Sequence, residues 1–302
     1  MESHDRSARL TGTLLVAGGA VAFSGKAVII KLAYRYGVDA VTLLALRMLF
    51  SAPFFALLGW WAGRRAALAP VAPRDRANIV ILGIIGYYLA SYFDFLGLQY
   101  VTAALERLLL FVHPTFVVIF SAILFGRRIT GRDVAAIAIS YGGIFLVFYN
   151  DLATQTGNVA LGSAWVLLSA LLYASYLIGS GRMVGRIGSL RFASYAGLVS
   201  CIAVVIHFFV TQPAAALFSQ PEPVYGLALL MAIASTVLPI VMTSEGIRRI
   251  GASHASIIGS VGPMATIFLG AIFLGEAVTG VQVAGALLVL AGVLVISMRK
   301  KA

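Results

Sequence analysis

The chain alternates ten long apolar stretches with short polar breaks. An α-helix rises about 1.5 Å per residue, so about 20 apolar residues cross a hydrocarbon core of roughly 30 Å. The pattern therefore predicts an all-α membrane protein with ten transmembrane helices. The predicted spans are Leu10–Ala33, Ala40–Trp61, Ile79–Leu98, Thr102–Phe125, Val134–Phe148, Ala160–Gly179, Phe192–Val210, Val224–Glu245, Ser253–Leu274 and Val278–Met298.

A short turn sequence occurs twice, which indicates an internal duplication. The segment Phe125–Gly131 recurs as Leu274–Gly280, 149 residues later and without a gap. We therefore divide the chain into a first five-helix repeat, residues 1–150, and a second, residues 151–302. Because five is an odd number, the second copy enters the bilayer from the opposite face, and the repeats are inverted. Inverted repeats are typical of transporters that open a shared central site to each side in turn.

Composition and charge narrow the class of protein. Hydrophobic residues make up 61% of the chain, charged residues 11%, and the mean hydropathy is +0.98, which excludes an ordinary soluble domain. With loops assigned alternately to two sides, seventeen Lys and Arg residues fall on the side of the termini and three on the other. The positive-inside rule then predicts a multi-pass protein of the cell (inner) membrane with both termini cytoplasmic. We expect a monomer in the lipid bilayer and no nucleic-acid partner.

Two prolines occupy equivalent positions in the duplication. Pro114 and Pro263 lie near the middle of the fourth and ninth predicted spans. A proline there removes a backbone hydrogen bond, and the freed carbonyl is tolerated only against protein or a watery cavity. The two prolines predict helix discontinuities, which either flank a substrate site or serve as packing kinks.

Several motifs indicate a family. They are Arg47 within Leu46–Phe50, the segment Leu96–Ala103, Gly251-Ala252-Ser253 ahead of Pro263, and Leu274-Gly275-Glu276. In these motifs the chain resembles the drug/metabolite transporter superfamily, specifically the EamA-type exporters, and within them the aromatic amino acid exporters. The resemblance implies export of small metabolites through a cavity between the repeats, lined by the third, fourth, eighth and ninth helices with help from the first and sixth. Arg127 departs from the pattern, since the family's first repeat usually has Glu there.

Ionisable residues inside the spans are candidates for gating or coupling. Each such group costs about 3 kcal/mol or more at the bilayer centre unless it faces a partner or water. These candidates are Lys26, Asp94, Glu106 and Arg107. We expect Asp94 to pair with Arg107 across the third and fourth helices, and Arg47 to brace helix ends on the cytoplasmic side.

His113 directly precedes Pro114 and titrates near physiological pH. If it faces the cavity, it binds substrate or a proton; if it faces a neighbouring helix, it is a hydrogen-bonded packing residue. Both readings stay open on the sequence alone.

Aromatic and hydroxyl side chains supply the other candidates for substrate binding. In the third helix Tyr88, Ser91 and Tyr92 share a face by their spacing, which joins aromatic surface to polar tips and suits an amphiphilic solute. An interfacial aromatic belt is the alternative. The remaining candidates are Tyr173, Tyr176, Ser235, Thr236, Ser256 and Ser260.

These features predict a secondary exporter of small metabolites, mainly hydrophobic or aromatic amino acids, with protons as a candidate coupling ion. No phosphate-binding loop, HExxH metal motif or paired acids occur in the sequence, so we expect neither an enzyme nor a bound cofactor or metal. The alternative cargoes on the same fold are nucleotide sugars, sugar phosphates and cationic drugs. Anionic phosphates would favour several cations in the cavity, and only Lys26 is well placed for one.

Overall fold

The computed structural model describes residues 2–65, 71–126, 128–155, 157–259 and 261–297, with the side chains of 2–9, 65, 252, 253, 256, 257, 296 and 297 left aside. Every regular element within those ranges is helical. The helices are α1 Glu2–Tyr34, α2 Ala40–Arg65, α3 Pro73–Gly83, α4 Ala90–Gly97, α5 Ala103–Leu110, α6 His113–Phe125, α7 Gly131–Thr154, α8 Val159–Ile187, α9 Ser189–Thr211, α10 Glu222–Ala232, α11 Leu238–Gly259, α12 Gly262–Leu274 and α13 Gly280–Ser297. A short 3₁₀ turn, Ala214–Leu217, precedes α10.

Eight helical segments in the described ranges are long and apolar enough to cross a membrane, and two shorter apolar helices, Gly262–Leu274 and Gly280–Val295, follow them. The chain is therefore an all-helical, multi-pass membrane protein. The predicted eighth span ended at Glu245, whereas the helix continues to Gly251, where φ of 79° and ψ of 157° break it. Only glycine adopts such a φ at low cost, so the Gly-Ala-Ser motif marks a bend inside α11.

The two predicted discontinuities differ from simple kinks. The fourth predicted span is divided at Phe111 and Val112, so that Pro114 lies in the first turn of a new helix, α6. Pro263 likewise lies in the first turn of α12. Proline lacks an N–H, and the first turn of a helix is where that donor has no intrahelical acceptor. Both prolines therefore begin helices near the middle of the bundle.

The offset of 149 residues also recurs in local structure. A π-helical turn joins α3 to α4 over Ile84–Leu89, and another joins α10 to α11 over Ile233–Val237. Each of α6 and α12 has 13 residues and ends at a left-handed glycine, Gly126 with φ of 65° and Gly275 with φ of 72°. The repeated sequence thus forms repeated local geometry. The inverted orientation of residues 1–150 and 151–302 stays a prediction.

Polar contacts join helix ends at each end of the bundle. At one end, which we call the sealed end, Tyr34 of α1 donates a hydrogen bond of 2.7 Å to the carbonyl of Phe95 in α4, and Arg35 donates one of 2.6 Å to the carbonyl of Leu274 in α12. At the opposite, arginine-rich end, Arg186 of α8 forms an ion pair of 2.9 Å with the buried Asp75 of α3. The sealed end carries Lys31, Arg35 and Glu276, and the arginine-rich end carries most of the cations.

Candidate functional site

A cavity of about 290 Å³ lies in the middle of the bundle. This volume is at the lower limit of typical small-molecule pockets, about 300–1,000 Å³. Residues from α1, α2, both π-helical turns, α4, α5, α6, α8 and α11 line it. The lining residues are Phe23, Lys26, Arg47, Gly86, Tyr87, Ala90, Ser91, Asp94, Arg107, Leu110, Phe111, His113, Ser169, Tyr173, Ser235, Thr236 and Ile240.

The π-helical turns bring their own residues to the cavity. Tyr87 lies in the first turn, and Ser235 and Thr236 lie in the second. An extra residue per turn shifts the phase of the helix that follows, and such turns are frequent at functional sites. Ser235 donates a hydrogen bond of 3.0 Å to the carbonyl of Ala22 and so ties the second turn to α1.

Of the three residues predicted to form a substrate-binding face on the third helix, Tyr88, Ser91 and Tyr92, one lines the cavity. Ser91 lines the cavity together with Tyr87 and Asp94, whereas Tyr88 and Tyr92 lie on another face. The rings of Tyr88 and Tyr92 contact His207 of α9, with centroids 5.7 and 4.8 Å from the imidazole. The prediction that Tyr88 and Tyr92 join Ser91 at the substrate is therefore not supported by their placement. The cavity face has the helical spacing of residues 87, 91 and 94 instead.

Lys26, rather than Arg107, is the partner of Asp94, which corrects the expected pairing. Lys26 Nζ lies 2.5 Å from Asp94 Oδ2 and 3.3 Å from Glu106 Oε1. Asp94 and Glu106 are 1% and 0% exposed, so both carboxylates are buried with Lys26. The three side chains form one buried charge cluster that joins α1, α4 and α5.

Arg107 contacts aromatic rings and the start of α12. Its guanidinium carbon lies 4.9 Å from the ring centroid of Phe23 and 5.2 Å from that of Phe111, which are favourable cation–π distances. Nη2 donates a weak hydrogen bond of 3.4 Å to Ser24 Oγ. The Ser24 hydroxyl itself lies 2.9 Å from the carbonyl oxygen of Gly262, so Arg107 and the first turn of α12 are neighbours.

Arg47 also lines the cavity, so the expectation that it braces helix ends was wrong. Its Nε donates a hydrogen bond of 2.9 Å to Thr236 Oγ1, and its guanidinium carbon lies 5.6 Å from the centroid of Phe95. The Thr236 hydroxyl donates in turn to the carbonyl of Met231 at 3.0 Å, which ties the π-helical turn to the end of α10. The residues around Arg47 in α2 are apolar on every side, so the sequence did not indicate which helix face Arg47 occupies.

Several charged atoms at the cavity have no hydrogen-bond partner within the described part of the chain. They are Arg47 Nη1, Arg107 Nε and Asp94 Oδ1. Buried polar groups are nearly always hydrogen-bonded, so a bound solute with both a negative and a positive group would satisfy them. The lining carries three cations, Lys26, Arg47 and Arg107, which corrects the expectation that Lys26 alone is well placed.

His113 faces the cavity and is also held by the backbone. Its Nδ1 lies 2.8 Å from the carbonyl oxygen of Leu110. Because a carbonyl only accepts, Nδ1 carries the hydrogen and Nε2 of the neutral ring remains an acceptor. The ring meets Tyr173 edge to face, with centroids 5.3 Å apart. Tyr173 lines the cavity, whereas Tyr176 is 8% exposed and packs behind it against Tyr87 at 5.3 Å.

Two of the predicted substrate contacts cannot be placed. Ser260 and the side chain of Ser256 lie outside the described residues, as does Arg127. Pro114 and Pro263 begin α6 and α12 beside the cavity without lining it. The sequence also gave no signal for Phe23, Phe111 or Ser169, because apolar and small residues are common throughout the spans.

Glu276 closes the sealed end. Its Oε1 lies 3.5 Å from Lys31 Nζ, and the amide of Ala103, at the start of α5, donates to both carboxylate oxygens at 3.1 and 3.2 Å. A carboxylate at a helix N-terminus is stabilised by the exposed N–H groups and the helix dipole. Glu276 thus connects α12, α1 and α5 above the cavity.

The profile of the EamA-like transporter family matches residues 10–149 and again residues 160–298. The chain belongs to the EamA-like transporter family. An "Uncharacterized transporter YcbK" of Bacillus subtilis is 33% identical over 277 residues, covering 91% of this chain and 88% of that protein. A "Probable terminal-alkyne amino-acid exporter" of Streptantibioticus cattleyicolor is 24% identical, covering 88% of each chain. A crystal structure with 18% identity covers 95% of this EamA-like chain at a TM-score of 0.65, which shows the shared fold.

Family membership identifies the molecule as a membrane transporter for small molecules. The family and the relatives are transporters, which indicates transport rather than catalysis. The two ranges that the family profile matches fall one in each of the predicted repeats, 1–150 and 151–302.

Proposed function

We propose that this EamA-like protein exports amino acids with hydrophobic or aromatic side chains by alternating access between two inverted repeats of five helices each, ten in all. The observation that carries the proposal is the chemistry of the central cavity. Arg47, Arg107 and Asp94 line a volume of about 290 Å³ together with aromatic rings, and each has a buried atom with no hydrogen-bond partner among the described residues. That combination fits a solute with a carboxylate, an ammonium group and an apolar side chain.

Each part of an amino acid has a matching group. The carboxylate suits the Nε of Arg107 or Nη1 of Arg47, because charge-assisted hydrogen bonds are stronger than neutral ones. The ammonium group suits Asp94 Oδ1 or the acceptor nitrogen of His113. An apolar side chain would pack against Phe23, Phe111, Tyr87 and Tyr173. The amino-acid exporter among the relatives, although only 24% identical, supports the same class of solute.

The closed contacts at the sealed end support alternating access. Glu276, Lys31 and Arg35 hold that end together, whereas at the other end α6 packs against α8 and makes no extensive contact with α1 or α11 in the described ranges. We infer that the described conformation opens toward the arginine-rich end. With that end cytoplasmic, as the positive-inside rule predicts, it is the state that loads solute from inside the cell.

A second candidate cargo is a small organic anion such as a sugar phosphate. The observation that favours it is the excess of three lining cations over one lining carboxylate, Asp94. A phosphate would bind both arginines without needing the carboxylate. The two candidates differ in their dependence on Asp94.

Counterflow in proteoliposomes tests the proposal. Vesicles preloaded with unlabelled phenylalanine, leucine, glutamate or a hexose phosphate are mixed with the labelled compound outside. We expect exchange of phenylalanine and leucine, and an Arg107→Gln variant should raise KM tenfold or more, since a hydrogen bond to a charged group contributes about 1.5–3 kcal/mol. Arg132→Gln, at an exposed position of α7, is the matched control and should leave KM unchanged.

Asp94→Asn separates the two cargoes. It should weaken exchange of amino acids and leave a sugar phosphate unaffected if that anion is the cargo. Exchange of the hexose phosphate alone, insensitive to Asp94→Asn, would replace the amino-acid proposal with the second candidate.

A further inference from the structure

A second cavity, separate from the transport site, lies between α3 and α9 at the arginine-rich end. It has a volume of about 480 Å³. Its inner walls are aliphatic, formed by Ile79 and Val80 of α3 and by Leu198 and Val199 of α9. Val80 is 43% exposed on this apolar wall. We call this cavity the α3–α9 groove.

The groove is closed toward the middle of the bundle. A Cβ atom placed on Gly83 would lie 2.7 Å from the carbonyl oxygen of Ala196 and 3.1 Å from Cβ of Val199. The two helices therefore touch one turn beyond Val80, and the groove ends there. It is an open groove with an apolar inner part, and it shares no lining residue with the transport cavity.

Two arginines stand at the mouth of the groove. Arg76 Nε donates a hydrogen bond of 3.2 Å to the carbonyl of Val71, and Arg191 Nε donates one of 3.3 Å to the hydroxyl of Tyr195. The Arg191 guanidinium carbon also lies 5.6 Å from the Tyr195 ring centroid. These contacts hold both guanidinium groups at the same opening, which the two side chains line together.

The surroundings of the mouth carry net positive charge. The one acid beside Arg76 in α3, Asp75, is 3% exposed and already paired with Arg186 at 2.9 Å. The end of α2 reaches the mouth at Gly63, where an added Cβ would lie 3.7 Å from the Tyr195 hydroxyl oxygen. The next residue, Arg64, lies over the ring of Trp60 at 4.2 Å, and Trp60 is 55% exposed. An exposed tryptophan beside arginines is typical of the level of lipid headgroups.

We propose that the α3–α9 groove binds one anionic phospholipid from the leaflet at the arginine-rich end. The phosphate lies between Arg76 and Arg191, and an acyl chain lies along Ile79, Val80, Leu198 and Val199. The groove fits such a lipid in both charge and shape, because its two arginines lie at the mouth, where the headgroup would bind, and its inner wall is aliphatic. Basic pockets between helices on the cytoplasmic side suit anionic headgroups for the same reason. A bound lipid would fasten α3 to α9 without entering the transport path.

Native mass spectrometry of the full-length protein in detergent tests the site. The protein is mixed with equal amounts of a phosphatidylglycerol and a phosphatidylcholine that have the same acyl chains. We expect retention of phosphatidylglycerol over phosphatidylcholine. In Arg76→Gln/Arg191→Gln, binding of phosphatidylglycerol should weaken about thirtyfold, the factor expected for two lost cation–lipid contacts at a membrane surface. Arg132→Gln, an exposed arginine elsewhere, serves as the control and should bind as the unaltered protein does.

A second variant tests the acyl-chain contact without touching the cations. Leu198→Trp fills the inner groove and should also reduce retention of phosphatidylglycerol, while inorganic phosphate at millimolar concentration should not compete. Full retention in the double arginine variant would overturn the proposal. So would full retention in Leu198→Trp combined with displacement by inorganic phosphate, because that result would identify a site for a free anion.

Discussion

Glu276 accepts hydrogen bonds from the backbone amide of Ala103, with its two carboxylate oxygens 3.1 and 3.2 Å from that nitrogen. The contact joins the turn after α12 to the first turn of α5, so residues 173 positions apart hold one end of the bundle closed. Lys31, at 3.5 Å from Oε1, adds a third helix to the same carboxylate. A transporter that alternates must break these bonds when the sealed end opens.

The first prediction concerns this closure. Glu276→Gln keeps the shape of the side chain but removes the charge that favours both the α5 N-terminus and Lys31, so the sealed end should open more often. Amides at the start of α5 should then exchange with deuterium faster, by roughly tenfold. Glu245→Gln removes an acid paired with Arg248 and Arg249 near the other end and is the control. Equal exchange in both variants would show that Glu276 does not hold the closure.

The second prediction concerns Gly262. A Cβ atom there would lie 2.5 Å from Arg107 Nη2. Because the guanidinium is the far end of a flexible side chain, Gly262→Ala should displace Arg107 and leave the helices folded. We expect a KM increase for phenylalanine close to that of Arg107→Gln, with an unchanged melting temperature. Gly259→Ala meets no atom within 4 Å and should transport normally. A normal KM in Gly262→Ala would mean that the position of Arg107 does not matter for binding.

The third prediction concerns the buried charge cluster. Lys26→Met leaves Asp94 and Glu106 together without the ammonium group, and removing one partner of a buried pair costs about 3–5 kcal/mol. The melting temperature in detergent should fall by several degrees or more. Lys31→Met removes a cation whose side chain is 24% exposed and should cost much less. Lys26→Met/Asp94→Asn should recover part of the loss; no recovery would argue against direct coupling of these residues.

The fourth prediction separates two roles of His113. Asn can imitate the Nδ1–H group that donates to Leu110, whereas Gln places an amide nearer the position of Nε2. If His113 carries a proton during transport, both His113→Asn and His113→Gln should abolish uptake driven by a pH gradient while counterflow persists. If the ring only packs, His113→Asn should keep the pH-driven rate. The rate with and without the gradient decides between them.

The sequence predicted the positions of most apolar helices, because hydropathy depends on local composition. It predicted a helix discontinuity at Pro114 and at Pro263 but not that each proline begins a new helix, since the break at Phe111 and Val112 leaves no mark in residue type. The break at Gly251 falls within the predicted loop between the eighth and ninth spans, although the helix before it continues six residues beyond the predicted end at Glu245.

The partners inside the cavity were harder to predict. Asp94 was expected to meet Arg107, but its partner is Lys26 on α1, 68 positions away. The rotation of each helix about its own axis decides which of the two cations Asp94 meets. Tyr87, Ser91 and Asp94 line the cavity at ordinary helical spacing, so the prediction had the correct period but chose the neighbouring face with Tyr88 and Tyr92. Aromatic residues occupy both faces, and residue type alone does not distinguish them.

Accessibility of one cysteine tests alternating access most directly. Ser91→Cys, in a Cys201→Ser background that removes the single native cysteine, places a thiol on the cavity wall. It is labelled with a membrane-impermeant maleimide applied to either face of oriented vesicles, with and without a saturating phenylalanine gradient. Without substrate, labelling should occur from the arginine-rich face only; during transport it should also occur from the opposite face. Labelling confined to one face under every condition, or equally fast from both faces at rest, would contradict the account.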